Sequence, residues 1–141
     1  MLNKFHLKYL NMKKLIFTFI IAAVSCVTTI NAQTNSLAKT TWQVEKISAD
    51  GSAVFKKAKA IKFPAEQPKI NFLQFEADKN YHTGNSCFHM MGKYSEYENN
   101  QVEISEGVSD MVENCDEPKT LTGLYTFKID KDRLELIPVK D

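Results

Sequence analysis

Residues 125–136 have the sequence Tyr-Thr-Phe-Lys-Ile-Asp-Lys-Asp-Arg-Leu-Glu-Leu, in which apolar side chains occupy alternate positions on both sides of a polar triplet. Alternation with a period of two is typical of a β-strand that buries one face. The polar triplet 130–132 interrupts the pattern with residue types that favour a turn. The two leucines after the turn then face the same side as the aromatic residues before it. The stretch therefore predicts an antiparallel β-hairpin with one apolar face.

The same alternation recurs upstream. Trp42 and Val44 share one face of a predicted strand, and residues 70–76 form the strongest strand of the chain. The alternation of apolar and polar residues in 70–76 is broken at Phe72 and Leu73, which are both apolar. A β-bulge or a strand buried on both faces would produce this break. Most of the chain after residue 40 is therefore expected to form short strands.

Turn-forming residues separate these strands at Asp50-Gly51, at 78–80 and at Asn99-Asn100, where we expect chain reversals. One helical candidate remains, the short Lys-rich segment 54–61, which two prolines follow. The predicted fold is β-rich (α+β with little helix), a small antiparallel sheet that curls on itself or forms a partly open barrel.

Residues 12–33 are typical of a secretory signal peptide. Two lysines at 13–14 precede an apolar run over 15–24, and Asn31-Ala32-Gln33 places a small residue at the cleavage point. The apolar run is shorter than the roughly 20 residues that cross a bilayer. We therefore expect cleavage between Ala32 and Gln33, an exported protein in the periplasm or outside the cell, and no transmembrane span after processing.

Two alternatives to this cleavage stay open. The segment 23–26, Ala-Val-Ser-Cys, loosely resembles a lipoprotein box, which would leave Cys26 as a lipidated N-terminus on the membrane. The other alternative is that the predicted signal segment is not cleaved and stays as a membrane anchor. The predicted organisation is an N-terminal extension plus signal peptide at 1–32 and one domain at 33–141.

The charge of residues 33–141 limits the partners that we expect. Without the four lysines of the predicted leader, the domain has 14 basic and 17 acidic residues, which gives a net charge of −3. A mildly acidic domain without a basic stripe gives no reason to expect nucleic acid or an anionic membrane as partner. The expected partner is an envelope protein or a small molecule, of unknown identity in either case.

Two cysteines remain after the predicted cleavage, Cys87 and Cys115. In an oxidising compartment such a pair most often closes a disulfide, which we therefore predict. The alternative is a site for copper or another thiophilic metal, because thiolate, imidazole and thioether donors concentrate in two short segments. That site would be formed by Cys87, His89, Met90, Met91, Met111 and Cys115.

Catalytic motifs do not stand out. The chain has no Gly-x-Ser-x-Gly elbow and no glycine-rich phosphate loop before a helix. His82 and His89 lie in or beside predicted strands, where a histidine with an ordinary hydrogen bond is the default. The sequence therefore predicts a protein without catalytic residues and without a cofactor.

The chain resembles the META domain, or HslJ-like, family of small bacterial envelope proteins. The resemblance lies in Leu37 to Val44 with Trp42, Pro68 to Phe72, Gly84 to Cys87, Gly92 to Tyr94, Val108 to Met111, Asn114-Cys115 and Leu134 to Leu136. Two departures are Ser86 and Phe88, where the family usually has glycine and asparagine. The helix that follows the second cysteine in the family is reduced here to 117–124.

The resemblance implies association with the bacterial envelope and a part in stress or antibiotic tolerance, and it brings no catalytic residue. A second hypothesis is a lipocalin-like carrier with an apolar pocket lined by Trp42, Phe72, Phe75, Tyr94 and Phe127. About 109 residues would form a tight barrel with little room for a ligand. A packed interior with a disulfide would leave surface interaction as the function.

Overall fold

A computed structural model describes residues 36–140 of the chain. The predicted signal segment, its cleavage site at Ala32 and Gln33, and Cys26 lie outside these residues. The regular structure within residues 36–140 consists of nine strands and one short 3₁₀ turn, Glu98–Asn100. The strands are β1 (Thr40–Ile47), β2 (Ala53–Lys57), β3 (Phe72–Phe75), β4 (Asn80–Gly84), β5 (Phe88–Tyr97), β6 (Gln101–Ile104), β7 (Val108–Met111), β8 (Gly123–Asp130) and β9 (Arg133–Pro138).

All pairings between these strands are antiparallel. The strand order is β4-β3-β1-β2-β9-β8-β6-β5, and a further pairing of β4 with β5 closes these eight strands into a barrel. Strand β7 lies outside the barrel and pairs only with the first half of β5, while β6 pairs with its second half. Closure removes the edges of the barrel itself, so that β7 is the one open strand edge among the described residues.

The predicted C-terminal hairpin is confirmed. Phe127 lies opposite Leu136 and Ile129 opposite Leu134 in the pairing of β8 with β9. Hairpins also form at the predicted turns 78–80, between β3 and β4, and 99–100, between β5 and β6.

Strand β3 is buried on both faces, which explains the break in the alternation of its sequence. Leu73 and Phe75 belong to the core of the barrel. Gln74 faces the outside, where the segment 58–71 covers it. The Ile61 N–H donates to Gln74 Oε1 (2.8 Å) and Gln74 Nε2 donates to the Ile61 carbonyl (3.0 Å). These bonds hold the covering segment against the barrel wall.

The two helical expectations are wrong. Residues 54–57 of the predicted helix 54–61 belong to β2 instead, because Ala53 and Phe55 point into the core while the strand pairs with β1 and β9. The segment 117–124 holds no helix either. It runs as an irregular connection until β8 begins at Gly123, whose φ of +113° lies outside the helical range.

Aromatic side chains fill the barrel. Trp42, Phe75, Tyr81 and Tyr94 are each at most 2% exposed, and the rings of Phe75 and Tyr94 meet edge to face at 4.8 Å. Polar groups in this core have partners: the Tyr81 hydroxyl donates to the Ser105 carbonyl and the Tyr94 hydroxyl to the Glu76 carbonyl, both at 2.7 Å. Burial raises the pKa of Tyr94 to about 12. Close packing of this kind stabilises the barrel.

Candidate binding face

Strands β4, β5 and β7 form a continuous outer surface on one side of the molecule. Opposite residues in an antiparallel pair point to the same face of a sheet. The register pairs His82 with Met91, Met91 with Val108, and His89 with Asp110. We call the surface formed by these five residues the outer face.

Phe63 covers part of this surface from the segment 58–71. Its ring stacks on His82 at a centroid distance of 4.9 Å and on His89 at 4.8 Å, and it also contacts Phe72 at 5.5 Å. One aromatic side chain therefore shields both imidazoles from solvent.

The two imidazoles are hydrogen-bonded to each other. His82 Nδ1 and His89 Nε2 are 2.9 Å apart, and the rings are inclined by only 5°. One nitrogen must donate and the other accept, so the pair holds this bond when at least one ring is neutral. When both rings are protonated, two N–H groups face each other and the bond is lost.

Burial lowers the pKa of both histidines. Desolvation is the main cause at His82, where the nearby Glu76 and Asp78 carboxylates oppose it. Desolvation also dominates at His89, the positive charge of His82 adds to it, and Asp110 opposes it. Lys62 lies in the same cleft as both rings. The pair is therefore held toward its neutral, hydrogen-bonded form.

The histidine pair predicts a stability that depends on pH. A histidine whose pKa is lower in the folded than in the unfolded state contributes stability above its ordinary value of 6.5, and this contribution is lost as the pH falls through the folded pKa. Wild-type protein should lose free energy of unfolding as the pH falls from about 8 to about 5. In chemical denaturation, the double variant His82→Gln, His89→Gln should show a smaller loss over this range. An equal loss in both proteins would contradict the assignment.

The predicted disulfide between Cys87 and Cys115 is present, and it lies directly before the first residue of β5. The Asn85 side chain accepts hydrogen bonds from the N–H groups of Cys87 and Phe88, each at 3.0 Å. On the β7 side, the Val112 N–H donates to the Cys87 carbonyl at 2.9 Å. The bridge therefore ties the connection that follows β7 to the strand on which the outer face is built.

Two clefts border the outer face, and Phe63, Pro64 and His89 line both. The first, about 450 Å³, lies between the segment 63–68 and residues 110–112. The second, about 760 Å³, lies beside the histidine pair and includes Glu76 and Asp78. Both clefts are open to solvent, and both combine apolar walls with carboxylates.

The residues of the predicted metal site do not converge as one ligand set. The sulfurs of Cys87 and Cys115 are bonded to each other, and the imidazole of His89 is bonded to His82. Met90 is buried on the barrel side while Met91 lies on the outer face, 54% exposed. Between residues 36 and 140, no group of three or more His, Cys, Asp or Glu side chains is placed to hold a metal ion. The metal site stays a prediction.

The residues of the predicted carrier pocket are buried at 0–3% exposure. Trp42, Phe75, Tyr94 and Phe127 belong to the barrel core, whereas Phe72 faces outward beneath Phe63. Sequence reasoning did not find the outer face, because its parts come from three strands and a covering segment. The alternation of His89 and Met91 with the buried Phe88 and Met90 was the one local signal for it.

Comparisons with protein-family models, curated proteins and solved structures found no match to this chain. None of the helical structure within residues 36–140 has the length and apolar character that a membrane crossing requires.

Proposed function

We propose that this protein is an exported, META-type domain that acts in the bacterial envelope by binding a partner rather than by catalysis. The observation that carries the proposal is the exposed apolar surface around the outer face. Met91, Val108 and Val112 lie on this side and are three of the eight exposed large apolar side chains among residues 36–140. Apolar side chains grouped on a surface are a common mark of an interaction site.

The filled barrel supports surface binding over transport of a ligand inside the barrel. Side chains that would line an internal cavity pack on each other instead, as Phe75 and Tyr94 do. A lipocalin-like carrier would require these aromatic side chains to move apart. A copper site would require reduction of the disulfide before its sulfurs could bind metal.

Export is supported by the disulfide, because such bonds form and persist in oxidising compartments. The META-type assignment rests on the motifs in the sequence, with Trp42 in β1 and the two cysteines as its main residues. The envelope and stress-tolerance role follows from that resemblance. The proposed location is the periplasm or the outside of the cell, with lipid anchoring through Cys26 as the alternative.

Site-specific photo-cross-linking in living cells tests the proposed binding face. A photoreactive amino acid at Val108 should give a discrete cross-linked product, because this side chain is 80% exposed beside Met91. The matched control is the same probe at Ile137, which is 53% exposed on β9. The same products from both positions, or none from Val108, would contradict the proposal.

A further inference from the structure

Strand β7 presents an open edge beside the outer face. It pairs with β5 on one side, and no strand within residues 36–140 pairs with it on the other. All four of its residues are exposed. An exposed strand edge is a template on which a further strand can add by main-chain hydrogen bonds.

The direction of the free backbone groups follows from the register. The Val112 N–H points toward β5, where it donates to the Cys87 carbonyl. In an antiparallel ladder, the N–H and C=O of one residue point to the same side, and the side alternates along the strand. The N–H and C=O groups of Ser109 and Met111 therefore point away from β5. Two donors and two acceptors face the open side.

The charge of β7 and of the residues next to it in the chain is one-sided. Residues 106–117 contain no lysine or arginine, and they hold the five acidic residues Glu106, Asp110, Glu113, Asp116 and Glu117. A second copy of the chain paired at this edge would bring acidic segments together, which is unfavourable. A strand that carries positive charge would be attracted.

We infer that the β7 edge binds an extended, lysine- or arginine-bearing segment of another protein, which adds to the sheet as a tenth strand. This inference rests on the proposed binding function and names the chemistry of the partner. Residues of the added strand opposite Val108, Asp110 and Val112 would share the outer face. The preferred pattern is therefore apolar, any residue, basic, any residue, apolar.

A peptide titration tests this inference. The probe is the capped heptapeptide Lys-Val-Thr-Lys-Thr-Val-Lys, and its control carries glutamate at the three lysine positions. Amide chemical shifts of the isotopically labelled protein should change along β7, and the lysine peptide should bind at least about tenfold more tightly than its control. Added salt should weaken this binding because the paired charges are exposed. Equal affinities, or shift changes confined to other strands, would overturn the inference.

A proline variant separates edge pairing from charge attraction. Ser109→Pro removes an outward N–H and keeps the ladder between β7 and β5, since edge strands accept proline at such positions. Ser109→Pro should lower the affinity for the lysine peptide about tenfold. Ser109→Ala, which keeps the N–H, should leave that affinity unchanged. Met111→Pro removes the other outward N–H and replaces Ser109→Pro if that variant fails to fold. Undiminished binding to a folded proline variant would overturn edge pairing.

Charge variants and oligomeric state complete the test. Asp110→Asn should lower the affinity for the lysine peptide about threefold, while Glu45→Gln on β1 should leave this affinity unchanged. If sedimentation shows dimers that Ser109→Pro abolishes, the edge pairs with a second copy and the inference is wrong. If Val108 still cross-links in cells but the lysine peptide does not bind, the binding face stands and the partner chemistry is wrong.

Discussion

Replacement of Trp42 by alanine is expected to lower the free energy of unfolding by about 3–5 kcal/mol. The indole is 1% exposed in the barrel, and its Nε1–H donates to the Thr40 hydroxyl at 2.7 Å. Truncation removes the packing of the largest core side chain and leaves a cavity among aromatic neighbours that cannot collapse freely. Chemical denaturation followed by far-ultraviolet circular dichroism measures the loss.

The control for Trp42→Ala is Ile137→Ala on β9, which removes an apolar side chain that is 53% exposed. This variant should cost less than about 1 kcal/mol, because surface substitutions remove little buried area. A loss below about 1 kcal/mol for Trp42→Ala would be inconsistent with a packed barrel interior and would favour the carrier hypothesis.

Loss of the disulfide is the second change with a large expected effect. The double variant Cys87→Ala, Cys115→Ala should lose about 3.5 kcal/mol of free energy of unfolding, from the chain entropy of a closed loop of about 29 residues. The bridge spans a sequence separation of 28 residues and ties the connection after β7 to β5. Denaturation with and without a reducing agent measures the effect.

Two comparisons make the disulfide experiment specific. Reduction should destabilise the wild type by the same amount and leave the double variant unchanged. Amide hydrogen exchange should increase at Val112, whose N–H is bonded to the Cys87 carbonyl, more than at residues of the β8–β9 hairpin. Identical stability of the reduced and oxidised wild type would show that the bridge contributes nothing to the fold.

Local chemistry explains which parts of the fold were predictable. The β8–β9 hairpin combines period-two alternation with a polar turn over a few residues, and both signals are local. The burial of β3 on both faces was visible in the sequence, because Phe72 and Leu73 break the alternation of apolar and polar residues. The pairing of Cys87 with Cys115 needed only the count of cysteines and the predicted compartment.

Features that depend on which strands pair, and in which register, could not be predicted from the sequence. Segment 54–61 was predicted as a helix because it is short and rich in lysine, whereas the pairing of residues 53–57 with β1 and β9 makes that part a strand. Closure of the barrel depends on the pairing of β4 with β5, whereas the sequence predicted only a curled sheet or a partly open barrel. The bond between His82 and His89 arises from that same pairing.

The candidate site was harder to predict than the fold. Phe63 lies in an irregular segment without an alternating pattern, and it contacts the histidines from a segment that Gln74 binds at Ile61. The exposure of β7 follows from its position outside the closed barrel. Neither the position of Phe63 nor the exposure of β7 produces a local pattern in the sequence, so neither could be predicted from it.

Intact-mass analysis of the protein recovered from cells without a reducing agent tests export and disulfide formation in one measurement. We expect a chain that begins at Gln33, carries no lipid and has the mass of one internal disulfide between Cys87 and Cys115. A chain that retains residues 1–32 and carries free thiols at both cysteines would contradict this expectation.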